Sequence, residues 1–171
     1  MRYLVLGDVT LAIKTTGGVQ IITDNRVENT AKAERAAADS LPNGSPEQTE
    51  ALVRMKHVEL AARNVPGGFW IAAADPSAAH HSLTGEVPLR TIHRLVLMTD
   101  GATRAISPFS LYDWPGLFCG VANDGPDGLI KQIRIAEDAD SAGIQHPRNK
   151  IHDDATIVVA DLSATVGRLG E

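Results

Sequence analysis

One cysteine, Cys119, in a chain of 171 residues rules out an intrachain disulfide, so nothing ties the protein to an oxidising compartment or to a cross-linked fold. Aromatic residues are also scarce, at 4%, and the isolated Trp70 and Trp114 read as packing anchors rather than ligand platforms. No apolar run approaches the roughly 18 to 20 residues a bilayer helix requires. The N-terminus has no basic segment followed by a signal-type apolar core. Positive charge is sparse and scattered: 16 Lys and Arg stand against 21 Asp and Glu, a formal charge of -5. That balance offers no basic stripe to neutralise phosphates of a nucleic acid. These absences predict a cytoplasmic protein that binds neither membrane nor nucleic acid.

What is present suits a single domain over 1–171, with 43% hydrophobic and 22% charged residues. Tyr3 to Leu6, Leu11 to Ile13 and Val19 to Thr23 are short apolar runs separated by Gly7-Asp8 and by Gly17-Gly18, the pattern of a β-meander. An Ala-rich helix is expected from about Thr30 to Leu41. A second should begin at Ser45, with Ser as N-cap, Pro46 at the first helical position and Gln48 at the third. Its stripe of Ala51, Met55, Val58 and Ala62 is suited to facing a sheet. Phe69 to Ala73 and Thr91 to Met98 read as strands. Asp113-Trp114-Pro115 opens one helix, and Gly125-Pro126 opens another that runs to about Asp140. Ser141 to Asn149 reads as a surface loop and Ala155 to Leu162 as the final strand. Strands and helices in separate blocks predict an α+β fold.

Three carboxylates sit at strand ends. Asp100 terminates the apolar run L-V-L-M-T and is followed by Gly101. Asp153 precedes the run A-T-I-V-V, and Asp8 follows V-L-G. Asp-Gly is a common turn dipeptide, so each acid also has a plain reading as a turn residue. Asp100 and Asp153 are too distant in sequence to share a local loop, so a common site requires the fold to join two strand ends. Three such acids suit an oxygen-preferring cation, Mg²⁺ or Mn²⁺, and the lack of a Cys or His cluster disfavours zinc. His152 has two readings, a proton donor to a leaving group or an exposed loop histidine; the second is preferred. His80 and His81 lack a third ligand at suitable spacing and are expected to face solvent. Cys119 is expected to be buried as a small apolar residue.

The run L-V-L-M-T-D-G at 95–101, followed by H-D-D-A-T-I-V-V at 152–159, resembles the metal-dependent protein phosphatases of the PPM or type 2C family. Their late motifs are a strand ending in (S/T)-D-G and a final strand introduced by D-(N/D)-x-T. The segment Y-L-V-L-G-D at 3–8 is similar to that family's middle strand, with Val9-Thr10 in place of its S-R pair. F-W-I-A-A-A-D-P and L-T-G-E-V-P-L look like a bacterial branch. The resemblance implies a PPM-like sandwich of antiparallel β-sheets flanked by antiparallel helices. It also implies a phosphoprotein substrate and hydrolysis of phosphoserine or phosphothreonine by a water activated between two metal ions. Asp100 and Asp153 would ligate one metal, and Asp8 with Asp100 would lie near a third, weaker position. Asp154 stands where the family often has Asn and would neighbour the ligands.

The family's early D-G-x-G segment and phosphate-gripping Arg have no counterpart here, and Arg104 does not match that Arg. The expectation is therefore the C-terminal portion of such a domain, weakly active unless the missing ligands are supplied. Exposed sheet would make it poorly stable or lead it to self-associate or bind a partner chain. The alternatives are an inactive phosphatase-like regulatory or binding module, or an unrelated fold in which the acids serve only as turn residues.

Overall fold

A computed structural model describes residues 1–162. Its strands are β1 (Arg2–Val5), β2 (Thr10–Thr15), β3 (Gly18–Thr23), β4 (Leu83–Glu86), β5 (Ile92–Met98) and β6 (Ile157–Asp161). Its α-helices are α1 (Arg26–Asn29), α2 (Lys32–Asp39), α3 (Pro46–Ala61), α4 (Asp100–Thr103) and α5 (Trp114–Ala139). Four strands form an antiparallel sheet in the order β3-β2-β5-β6, while β1 pairs antiparallel with β4 in a separate ribbon. The architecture is α+β with antiparallel sheets, as expected. Among the described residues no helix is long and apolar enough to cross a membrane.

The central strands read as continuous apolar runs because each of their faces packs against apolar residues. Ala12, Val96 and Met98 point to one face and pack with Leu117, Phe118, Val121, Leu129 and Ile133 of α5. Leu11 and Ile13 point to the other and cluster with Val5, Val87 and Ile92. This alternation follows from the register, in which Leu11 faces Leu97, Ala12 faces Val96 and Ile13 faces Leu95. Cover on the second face is incomplete. Leu97 is 37% exposed and Val158 54%, and a cavity of about 460 Å³ is bounded by Leu4, Val5, Leu6, Leu95 and Leu97.

Several expectations are corrected. The hairpin β2-β3 forms, but β1 leaves the meander and pairs with β4. An apolar alternation specifies a buried face without naming the neighbouring strand. Phe69 to Ala73 is not a strand. Phe69 donates its N–H to the carbonyl of Ala62 and accepts from the N–H of Asn64, and the Ile71 N–H reaches Asn64 Oδ1. The segment's backbone groups are thus satisfied by the end of α3 rather than by a sheet.

Helix α3 begins as expected, with Ser45 Oγ accepting from the Gln48 N–H at 3.1 Å. Its buried stripe is Gln48, Ala51, Met55 and Glu59, and it packs on α2 rather than on a sheet. Val58 is 39% exposed, one helical step away from the position anticipated for it. Gly125, at φ +72°, breaks α5 where a second helix was expected to begin. Cys119 is exposed, because Phe118 and Gly120 occupy the inward positions on either side of it.

Candidate functional site

The antiparallel register decides where the three acids go. Thr10 at the start of β2 and Ile157 at the start of β6 both face Met98 at the end of β5. The loops carrying Asp8, Asp100 and Asp153 therefore emerge side by side at one end of the sheet. Asp100 opens the one-turn helix α4 and lines two adjoining cavities. The smaller, about 150 Å³, also has Asp8, Asp24 and Arg35 in its wall. The larger, about 420 Å³, has Asp39, Asp153, Arg104, Arg148 and again Arg35.

The two strand ends touch through backbone. A Cβ on Gly101 would lie 2.3 Å from the carbonyl oxygen of Asp154, so only glycine permits this approach. Thr99 reinforces it: its hydroxyl donates to the Asp154 carbonyl at 3.2 Å and accepts from the Thr156 N–H at 3.0 Å. The space left by the missing side chain at Gly101 is thus filled by the chain itself.

The carboxylates differ in their compensation. Asp100 is exposed, yet desolvation by the cavity walls raises its pKa, and the nearby charges of Asp153 and Asp8 push the same way. Its own Gly101 N–H, at 2.8 Å, and Lys150 offset this only in part. Asp153 is well supplied with cations: Lys150 Nζ lies 2.5 Å from one carboxylate oxygen and Arg104 Nη2 3.3 Å from the other. Burial would raise the Asp24 pKa, but the side chain and backbone of Arg26 hold it below the usual range, so this acid is already neutralised. Asp154 is exposed and contributes its backbone carbonyl. His152 turns away to Asp138, 2.7 Å distant, in keeping with an exposed loop residue.

Behind the site lies a network that the sequence reading missed. Glu137 of α5 is fully buried, and its two carboxylate oxygens pair with Arg104 and Arg134. Arg134 Nη2 donates to the Asp153 carbonyl at 2.6 Å, and Arg104 reaches the Ile151 carbonyl at 3.3 Å. Two arginines anchored on one acid therefore grip the loop that carries Asp153. The signal was available: Glu137 continues the buried stripe of Leu129 and Ile133 at steps of four, and a carboxylate on an apolar stripe needs cations.

The donor set suits a hard cation, with oxygen ligands and two acids, Asp100 and Asp39, whose charge burial leaves under-compensated. Asp8 and Asp100 border one cavity, and Asp100 and Asp153 the other. Among the described residues no three Asp, Glu, His or Cys side chains gather closely enough to enclose an ion. Pairs of carboxylates fit the open manner in which Mg²⁺ binds, through one or two carboxylates with water and substrate phosphate completing the shell. Among known proteins, no family model matches the chain and no curated protein matches it.

Proposed function

We propose that the chain is a metal-dependent phosphohydrolase of PPM type, acting on phosphoserine or phosphothreonine of a protein substrate. The observation that carries this reading is the convergence of Asp8, Asp100 and Asp153 from three strand ends onto two cavities that share Asp100. That juxtaposition agrees with the order and identity of the motifs at 3–8, 95–101 and 152–159. Asp100 with Asp153, and Asp100 with Asp8, would hold Mg²⁺ or Mn²⁺. When bound, such cations acidify a water and screen the phosphoryl oxygens. Asp100 supplies the charge at the junction of the cavities, and the buried Arg104 fixes the direction of the Asp153 carboxylate.

The decisive experiment is Mn²⁺-dependent hydrolysis of an aryl phosphate, with Asp100→Asn and Asp153→Asn each abolishing it. Turnover that survives both substitutions would sink the proposal. A second reading, a phosphatase-like binding module without turnover, is favoured by the engagement of both Asp153 oxygens by Lys150 and Arg104. Absent turnover in a chain that folds and is stabilised by Mn²⁺ would select it.

A further inference from the structure

A further concave space lies at the far end of the same sheet. In the register of β2 on β5, Thr10 faces Met98 at the carboxylate end and Lys14 faces Arg94 at the other. Lys14 and Arg94 line a cavity of about 490 Å³ together with His93 of β5 and with Phe118, Cys119 and Asn123 of α5. Among the described residues no Asp or Glu stands in its wall. Like charges directly opposite on neighbouring strands repel, and these two cations are compensated unequally. Arg94 pairs with Asp161, its neighbour on β6, and donates to the Phe118 carbonyl at 3.3 Å. Lys14 Nζ lies 5.9 Å from the centre of the Phe118 ring, and among the described residues no carboxylate comes within ion-pair distance of it. The row of Lys14, Arg94 and Asp161 across the sheet therefore carries a net positive charge, in a chain whose formal charge is -5.

We propose that this cavity binds the phosphate group of a small anionic molecule, with Lys14 as its principal contact. The Arg94 fork is occupied by Asp161, so the planar two-point match that favours a carboxylate is already taken. What remains is the compact ammonium of Lys14, with three donors, and the Asn123 amide, which border one space from β2 and α5. A point charge and single donors converging from different elements suit a tetrahedral oxyanion. An oxyanion seated between Lys14 and Arg94 also replaces their repulsion with two attractions. The space is larger than a phosphate, and Phe118 with Ala122 gives the remainder an apolar wall, which suits the organic part of a phosphate monoester. The site stands apart from Asp8, Asp100 and Asp153 and requires neither those acids nor a metal.

The test is calorimetric titration of inorganic phosphate into the full chain in EDTA, so that no divalent cation at the Asp100 end can recruit the anion. Wild type should bind phosphate. Lys14→Gln should weaken binding about tenfold, the worth of one charge-assisted contact, and Lys14→Arg should retain it. Lys131→Gln, at an exposed position of α5, removes the same charge elsewhere and should change nothing. Cys119 gives a local readout, because it is the sole cysteine, is exposed and borders the cavity. Phosphate should slow its alkylation by the uncharged N-ethylmaleimide in wild type and not in Lys14→Gln, while far-UV circular dichroism checks that each variant folds. Absence of phosphate binding by wild type overturns the proposal, as does equal binding by wild type and Lys14→Gln. Alkylation of Cys119 that phosphate leaves unaltered overturns the location. Succinate that binds more tightly than phosphate overturns the choice of a phosphate ligand.

Discussion

Replacing Gly101 with alanine tests whether the two strand ends act as one unit. The added Cβ would stand 2.3 Å from the Asp154 carbonyl oxygen, and ordinary contact begins at 3.4 Å, so the 153–154 backbone must retreat about 1.1 Å. The Thr99 hydroxyl now bonds that carbonyl at 3.2 Å, and such a retreat takes it beyond hydrogen-bond reach. Overpacking costs about 1–3 kcal/mol, and the lost hydrogen bond about 1 kcal/mol. For a chain of this length each kcal/mol moves Tm by about 2–4 °C, so Gly101→Ala should lower Tm by roughly 4–16 °C. The functional consequence is sharper, because metal ligands tolerate displacements of only about 0.2 Å. In wild type, Mn²⁺ at a hundred times its Kd should add about 2.7 kcal/mol of stability; in Gly101→Ala that gain should disappear. Differential scanning fluorimetry with and without Mn²⁺ reads both effects. Gly17→Ala serves as control, since a Cβ there meets nothing closer than 3.8 Å. A melting temperature equal to wild type would refute the steric argument, and an unchanged Mn²⁺ gain would refute the coupling of Asp100 to Asp153.

Glu137→Gln removes the charge between Arg104 and Arg134, and breaking a buried ion pair should cost about 3–5 kcal/mol, measured by urea denaturation; a loss under 1 kcal/mol would mean the arginines find other partners. Asp100→Asn should raise the metal-free Tm near neutral pH. The sign follows from a folded pKa above the unfolded one: the ionised carboxylate destabilises the fold above that pKa, and the penalty fades as pH falls. A lower Tm for Asp100→Asn would contradict this. Burial raises the Asp140 pKa, but the N–H groups of His146, Gln145 and Ile144 together with Arg148 hold it at about 2. Asp140 therefore contributes stability above pH 3.8, lost as pH falls through about 2. In Asp140→Asn the acid limb of the stability curve should flatten over that window, and an unchanged limb would refute the assignment. With Leu97 and Val158 exposed on the incompletely covered sheet face, sedimentation should show concentration-dependent association, weakened by Val158→Lys; a monomer at all concentrations would show that the face is tolerated in water.

The elements that could be read from the sequence are those whose signals are local. Ser45-Pro46 carries a cap and a proline at the first helical position, Asp113-Trp114-Pro115 a cap and a proline at the second, and both begin helices where expected. Gly125 marks a real break because it adopts, without steric cost, a positive φ that a helix cannot contain. Failures occurred where the deciding partner was remote. The alternation in β1 fits either sheet face, and only the ribbon with β4 decides its neighbour. Phe69 to Ala73 has strand-like composition, yet its hydrogen bonds are taken by Ala62 and Asn64. Glu137's place on the α5 stripe and its neighbour Arg134 are local, but nothing near them in sequence shows that Arg104, from the segment following β5, completes the network.

The site shows the same division. Asp8, Asp100 and Asp153 stand out because each ends an apolar run, and antiparallel pairing of three strands suffices to align them. Nothing in their spacing reveals that Asp153 is already held by two cations while Asp100 is left under-compensated. That asymmetry gives the site its direction. Asp100, common to both cavities, is a position where a divalent cation would relieve an unfavourable charge. Asp153, gripped through Arg104, Lys150 and the Glu137 network, is placed to receive such a cation only by exchanging one positive charge for another. Lys150 is the more exposed of its two partners, at 53% against 8% for Arg104, and is therefore the one free to move. Lys150→Gln should accordingly tighten Mn²⁺ binding, by several-fold in a calorimetric titration. Weaker binding in that variant would show that Lys150 orients the carboxylate rather than competing for it.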